Sequence, residues 1–258
     1  MTNPIVGASI DSTPDLLENP FWNALGSEHA KFAISAPLAR RYPADVVPFA
    51  GVFDGRTEAL ADLRGLLDLG EEIYTTGDEL SDCPGMELLG QLPAWQMVLR
   101  EADSATHLDL HEQSIVKPPI VEPPIVPSPV IEQMTAADAE AMVALTDVAF
   151  PGYFRLRTYA MGSYYGIRID GVLVAMAGER VALPGIREIS GVCTHPAHTG
   201  QGYARKLIKR ILREHASAGL RSFLHVGTSN DRAIVLYEQL GFVKRRKIIF
   251  HRLRRISF

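Results

Sequence analysis

Cysteine is scarce in this chain: Cys83 and Cys193 are the only two in 258 residues. Their separation suggests neither a disulfide framework nor a zinc site. One falls in a polar loop and the other in a predicted inner strand, so both are expected as free thiols. Long apolar runs are missing too. No segment reaches the ~18 apolar residues that a membrane-spanning helix needs. The opening Met1-Thr-Asn-Pro-Ile-Val-Gly has neither the basic start nor the apolar core of a secretory leader. A soluble, cytoplasmic protein with no membrane partner is the expectation. Core size is not limiting, because a chain of this length makes one compact body or two ordinary domains.

Neither sign of charge dominates, the formal net charge being −4, but the distribution is lopsided. Residues 199–258 hold 14 Lys and Arg against 3 Asp and Glu, leaving 12 against 27 in residues 1–198. A basic segment points to a phosphorylated ligand or to nucleic acid. On the helix expected over 203–216, however, Arg205, Lys206, Lys209, Arg210 and Arg213 fall opposite the apolar stripe, as on a solvated face. No nucleic-acid motif or aromatic stacking run accompanies the charge.

Between Ser114 and Val130 the sequence is proline-rich, and Pro-Pro-Ile-Val occurs twice. Proline fixes φ and extends its predecessor, so 114–129 is expected to be a stiff linker. It separates an N-terminal α/β domain, 1–113, from a second domain, 130–258. In the second, the pattern predicts a strand at 130–134 and a helix at 136–149 behind the capping sequence Thr135-Ala-Ala-Asp138. A hairpin follows, 164–169 and 172–181 around Asp170-Gly171. Then come strand 186–194, helix 201–217, strand 222–227, helix 230–240 stopped by Gly241, and a final strand region 242–256. Such an order makes a mixed sheet with helices on both sides. The first domain is less regular, with strands over 46–53 and 94–99, a helix over 56–68, and no phosphate-spaced glycine loop.

Two motifs carry chemistry. His198-Thr-Gly-Gln-Gly-Tyr-Ala-Arg-Lys206 is a glycine turn running from a predicted strand into an amphipathic helix. Without Cβ atoms at Gly200 and Gly202, consecutive backbone N–H groups can point at a phosphate on the positive end of the helix dipole. The second is Asn230-Asp-Arg-Ala-Ile-Val-Leu-Tyr237-Glu-Gln-Leu-Gly-Phe242.

Taken in order, strand Glu188 to Pro196, loop Gly200 to Ala204 and the Asn230 to Phe242 helix resemble the GNAT superfamily of acyl-CoA-dependent N-acyltransferases. The resemblance covers residues from about Val130 to the end. It implies a mixed, mostly antiparallel central sheet flanked by helices, preceded here by a smaller α/β domain. That arrangement looks like the glycine-N-acyltransferase-like branch, whose N-terminal half is a degenerate copy of the same fold. It also implies acetyl-CoA as cosubstrate and direct transfer to the primary amine of a small molecule or peptide, with no metal. Coenzyme contacts would come from Val192, Cys193 and Thr194, from Thr199, Gly200, Gln201, Gly202, Tyr203, Ala204 and Arg205, and from Asn230 and Tyr237. Thr199 departs from the family, which usually has Arg or Gln there, while the backbone cradle is kept.

Amine acylation by a thioester needs a deprotonated amine, a stabilised oxyanion and a proton for the leaving thiolate. The resemblance implies Val192 N–H as oxyanion donor and Tyr237 as the acid; a core tyrosine is the other reading, since Ala233, Ile234, Tyr237 and Leu240 share a helical face. Asn230 also suits a helix cap. For the base there are two candidates. Glu188 lies eleven residues before Thr199, as the strand glutamate does in the histone-acetylating branch, although pairing with Arg187 or solvation would equally account for it. His225, five residues before Asn230, stands where amino-terminal acetyltransferases often have a glutamate, and a buried hydrogen-bonded histidine is its alternative. The family builds the acceptor site from the region after the first helix, here 150–157, and from the final strands; in the first of these, Arg155 and Arg157 are candidates for a carboxylate partner. His195 and His198 suit loop or phosphate neighbours. His107-Leu-Asp-Leu-His111 superficially resembles a metal set but lacks further ligands nearby. The rival readings are a non-catalytic acyl-CoA-binding regulatory module and a basic nucleic-acid-binding protein.

Overall fold

A computed structural model describes residues 15–100 and 129–257. The linker up to Ser128 and the His107 to His111 stretch lie outside the described residues. The first described segment contains α1 (Pro20–Leu25), β1 (Ile34–Ser35), β2 (Ala39–Arg41), β3 (Ala50–Val52), α2 (Thr57–Gly65), β4 (Glu72–Gly77) and β5 (Met86–Leu99). The second contains β6 (Ile131–Gln133), α3 (Ala139–Ala149), β7 (Tyr164–Ile169), β8 (Val172–Leu183) and β9 (Ile186–Thr194). It continues with α4 (Tyr203–Ser217), β10 (Arg221–Gly227), α5 (Asp231–Glu238) and β11 (Phe242–Arg255). The elements expected after residue 130 all appear within a few residues of their expected bounds. The capping box at Thr135 is formed, with Asp138 returning the bond to the Thr135 N–H.

β1, β2 and β3 form a small antiparallel sheet, and the other eight strands form one large sheet in the order β4-β11-β5-β10-β9-β8-β7-β6. This order crosses the division expected at 113–130. β5, from the N-terminal half, lies between β10 and β11 and is antiparallel to both. The described part of the N-terminal half is therefore three short strands, two α-helices, one short 3-10 helix and two strands given to the large sheet, rather than a second copy of a sheet, loop and helix. The expected strand over 94–99 begins at Met86 instead. Proline argues against an inner strand, but Pro93 falls where β10 has ended: the β5–β10 register stops at Ala94 opposite Gly227. The strand expected over 46–53 is reduced to β3, because Pro48 cannot donate to a ladder.

Apolar side chains separate by face. Phe223 and Leu224 are neighbours on β10 and enter different clusters, so those clusters lie on opposite sides of the sheet. Leu207, Ile208, Ile211 and Leu212 of α4 and Ile234 of α5 cover one face. Phe21, Tyr42, Val46 and Phe49 of the N-terminal layer pack with Val181, Leu183 and Phe250 on the other. Each fully buried Leu, Ile or Phe contributes roughly 1.5–3 kcal/mol.

The charge asymmetry is matched within the molecule. Arg245 pairs with Asp15 and Glu18, Arg246 with Glu18 and Asp78, and Arg252 and Arg254 with Glu72. Much of the basic surplus of β11 faces the acidic N-terminal half. No helix among the described residues is long and apolar enough to cross a membrane.

Candidate active site

β9 and β10 pair in parallel only from Ile186 opposite Arg221 to Glu188 opposite Phe223. Beyond that point β10 continues against β5, whereas residues 189–194 of β9 keep only β8. The sheet parts there. Gly191, at φ +62°, lies in a bulge where the β8–β9 register skips Gly191 and Val192. Lack of a side chain also serves packing: a Cβ on Gly178 would lie 2.2 Å from the Tyr164 ring.

The glycine loop stands beside the parting. Gly202 is the N-cap of α4 at φ +73°, and Gly200 is at φ +82°. A Cβ on either would meet nothing within 4 Å, so glycine is required by the left-handed backbone, not by crowding from the protein. The first helical bond runs from Lys206 N–H to Gly202 O at 3.1 Å, which leaves the N–H groups of Tyr203, Ala204 and Arg205 over. With the positive end of a fifteen-residue helix behind them and open space in front, they form a cradle that fits a phosphate group. Thr199 turns its hydroxyl to Pro196 O at 3.2 Å, and the Arg205 side chain is engaged by Gln239. The backbone therefore supplies the cradle. His195 caps the short turn before the loop by accepting from Ala197 N–H.

Glu188 is fully buried and pairs with Arg180, not Arg187. Arg180 reaches its two oxygens through Nε at 3.0 Å and Nη2 at 2.5 Å. Arg187 instead donates to the carbonyls of Leu183 and Ile186. Oε1 of Glu188 also accepts from His225 Nδ1 at 2.7 Å. Burial alone would raise the Glu188 pKa, but the Arg180 guanidinium and then His225 hold it down to about 2. For His225, burial lowers the pKa and the Glu188 carboxylate opposes that shift. With Nδ1–H committed to the carboxylate, Nε2 accepts from Gln96 Nε2 at 3.2 Å. That amide also donates to Leu17 O at 2.9 Å, and its oxygen accepts from Arg245 at 2.5 Å.

A cavity of about 910 Å³ runs from the glycine loop through the parted strands to a chamber walled by both halves of the chain. Val192, Cys193, Thr194, Thr199 to Arg205, Asn230 and Tyr237 all line it, as do His198 and His225. Glu188 does not: it stands behind His225 and Arg180, both of which line the wall, which corrects the expectation of a carboxylate facing the reactants. Tyr237 is buried, its hydroxyl has no protein partner among the described residues, and burial pushes its pKa up to about 12. It remains protonated at neutral pH. Burial likewise pushes the Cys193 thiol up to about 12, so it is no thiolate nucleophile. Asn230 caps α5, its side-chain oxygen accepting from Ala233 N–H at 3.2 Å.

Sequence reasoning missed Arg180, Gln96 and the chamber residues Phe49 and Tyr164, whereas Tyr153 lies in the expected acceptor segment 150–157 and Phe250 in the final strand region. For Arg180 a signal existed: it lies at the end of one predicted strand, 172–181, and Glu188 at the start of the next, 186–194, where facing charges can pair. Nothing local marked the others. Arg155 and Arg157 are not on the wall; Arg155 donates to Phe154 O and Arg157 pairs with Asp45 at 2.9 Å.

Comparison with known proteins agrees with this geometry. The FR47-like protein family model matches residues 164–251. A crystal structure of a GNAT-family acetyltransferase from Novosphingobium aromaticivorans is 32% identical with a TM-score of 0.77, covering 94% of this chain and 100% of that one. N-alpha-acetyltransferase RimI of Mycobacterium tuberculosis is 32% identical over 123 residues, 43% of this chain and 77% of RimI. An uncharacterised protein of Mycobacterium leprae is 27% identical over 211 residues; the match covers 78% of this chain and 54% of that protein's length. The chain belongs to the GNAT superfamily of acetyltransferases.

Proposed function

We propose that the protein is an acyl-CoA-dependent N-acetyltransferase that moves an acetyl group from acetyl-CoA to a primary amine by direct transfer in a ternary complex. The observation that carries this reading is the parting of β9 from β10 after Glu188 and Phe223, with a phosphate cradle at its mouth and a chamber beyond. Backbone N–H groups of 200–205 would hold the coenzyme phosphates. The β10-facing edge of residues 189–194, left without a strand partner, would pair with the extended arm that carries the acyl group, and Val192 N–H would face the carbonyl oxygen. The thioester supplies an activated carbonyl and a sulfur that departs on acylation.

Tyr237 is the acid in this reading and protonates the departing sulfur. His225 is the base, and Glu188 holds its Nδ1–H so that Nε2 is the proton acceptor. The 3.2 Å bond from Gln96 gives way to the amine at that atom. A second reading, an acyl-CoA-binding module without turnover, has that same bond in its favour, because Nε2 already has a donor. Calorimetry with acetyl-CoA followed by thiol release with an amine panel separates them. Binding with release supports the enzyme, binding with no release from any amine supports the module, and no binding overturns both.

A further inference from the structure

The acceptor end of the cavity is defined by what its wall contains. Among the described residues that line it there is no Asp or Glu, so a polyamine or a lysine-rich segment would bring several charges to a wall with no counter-ion. The charged group at this end is Arg180. Its side chain is 14% exposed, and Nε and Nη2 are taken by Glu188. Nη1 has no hydrogen-bond partner among the described residues, although guanidinium groups are made for forked recognition of a carboxylate. The guanidinium lies 4.7 Å from the centre of the Phe49 ring and 5.9 Å from that of Phe250. Phe49 stacks at 6.0 Å on Tyr153, and Phe250 meets His225 edge to face at 5.4 Å. These aromatic rings make the chamber a place for an apolar body.

Arg180 and His225 are also neighbours in a specific way. Both hydrogen-bond the same oxygen of Glu188, Nη2 at 2.5 Å and Nδ1 at 2.7 Å. The guanidinium and the imidazole therefore stand side by side, and both line the cavity, where one small ligand can meet the two. We propose that the acceptor is an α-amino acid with an apolar side chain. Its carboxylate sits on Nη1 of Arg180, its amine faces His225, and its side chain lies against Phe49, Tyr153 and Phe250. Because the α-carbon carries both groups, an amine without a neighbouring carboxylate, including the amino terminus of a peptide, lacks the Arg180 contact. This rests on the transferase reading. In the step, the amine nitrogen bonds to the acetyl carbon as the carbon–sulfur bond breaks. One amine proton passes to His225 and the departing sulfur takes the Tyr237 proton, giving the N-acetylamino acid and the free thiol.

The test measures thiol release from acetyl-CoA by the full chain with L-phenylalanine, L-phenylalaninamide, phenethylamine, spermidine and an alanine-initiated hexapeptide. Acetyl-CoA affinity is followed separately by calorimetry. The expected result is a kcat/KM for L-phenylalanine at least tenfold above that for its amide or for phenethylamine, with spermidine and the peptide lower still. Arg180→Lys keeps a charge facing Glu188 but has no counterpart of Nη1, and it should narrow the phenylalanine-to-amide ratio. Should that variant fail to fold, Tyr153→Ala serves instead, raising KM for L-phenylalanine more than for glycine. Equal or better turnover of the amide, spermidine or the peptide overturns the proposal while leaving the transferase reading in place; acetyl-CoA binding with no amine acetylated overturns the proposal and favours the module without turnover. Failure to bind acetyl-CoA overturns the transferase reading itself.

Discussion

Oε1 of Glu188 lies 2.7 Å from Nδ1 of His225, so the two residues that the sequence offered as alternative bases form one hydrogen-bonded pair. Only the histidine reaches the cavity wall. With Arg180 on its other side, Glu188 is a buried anion whose oxygens are occupied, and in the proposed reaction it acts through His225.

A pH profile reads this pair directly. Burial lowers the His225 pKa, so the acidic limb of kcat/KM is expected below the ordinary histidine value of about 6.5. Glu188 opposes that shift, so Glu188→Gln should move the limb to still lower pH instead of abolishing it. His225→Gln should remove it. The Glu188 variant also leaves Arg180 buried and unpaired, at a cost on the order of 3–5 kcal/mol in stability. A limb that moves upward in Glu188→Gln would contradict the arrangement.

Tyr237→Phe tests the acid without disturbing the packing of the ring against Phe242, whose centroid is 6.1 Å away. Since the hydroxyl has no protein partner among the described residues, its loss should leave stability and acetyl-CoA affinity near wild type and lower kcat on the order of 10²-fold. Wild-type turnover would make Tyr237 a core residue only.

Gly202→Val puts a β-branched residue at φ +73° at the mouth of the phosphate cradle. Loss of at least tenfold in acetyl-CoA affinity is expected, with the circular dichroism spectrum unchanged, because the strain is confined to one loop residue at a cost on the order of 1–3 kcal/mol. Calorimetry showing unchanged affinity would remove the loop from the coenzyme site.

The part of the chain from residue 130 onward should not fold alone. It would lack β5, leaving β10 and β11 without the strand that bonds to both, and would uncover the core residues Phe223 and Phe250. Expressed as 130–258, it is expected to aggregate or give poorly dispersed amide resonances. A well-dispersed monomer spectrum would show that the C-terminal part is an independent domain after all.

Acid should weaken the fold in two separate windows. His29 is buried, bonded to Tyr42 and to Met161 O, and burial is the main reason that its pKa falls to about 4. The unfolded chain binds its proton near pH 6.5, so stability is lost as pH falls from about 6.5 to 4, by on the order of 3 kcal/mol. Glu188, held as an anion down to about 2, contributes stability that is present above about 4.5 and lost below it. Urea melts at pH 7, 5.5 and 4.5 should show the first loss, and His29→Gln should flatten that slope. A wild-type slope in the variant would assign the loss to another group.

From Val130 onward the sequence by itself determined the elements and the phosphate cradle, because both are local. A 3.6-residue stripe on 203–217, a Thr-x-x-Asp cap at 135 and glycines at 200 and 202 act within a few residues of themselves. Tertiary structure alone decided where β5 goes: a strand carries no local mark of its neighbours, and Pro93 argued against an inner position until β10 ended beside it. It likewise decided that Arg180, Glu188, His225 and Gln96 form one network, and that the acidic N-terminal half sits on the basic last strand. Hydrogen bonds and ion pairs between residues up to 230 positions apart depend on the packed sheet, which no spacing rule along the chain encodes.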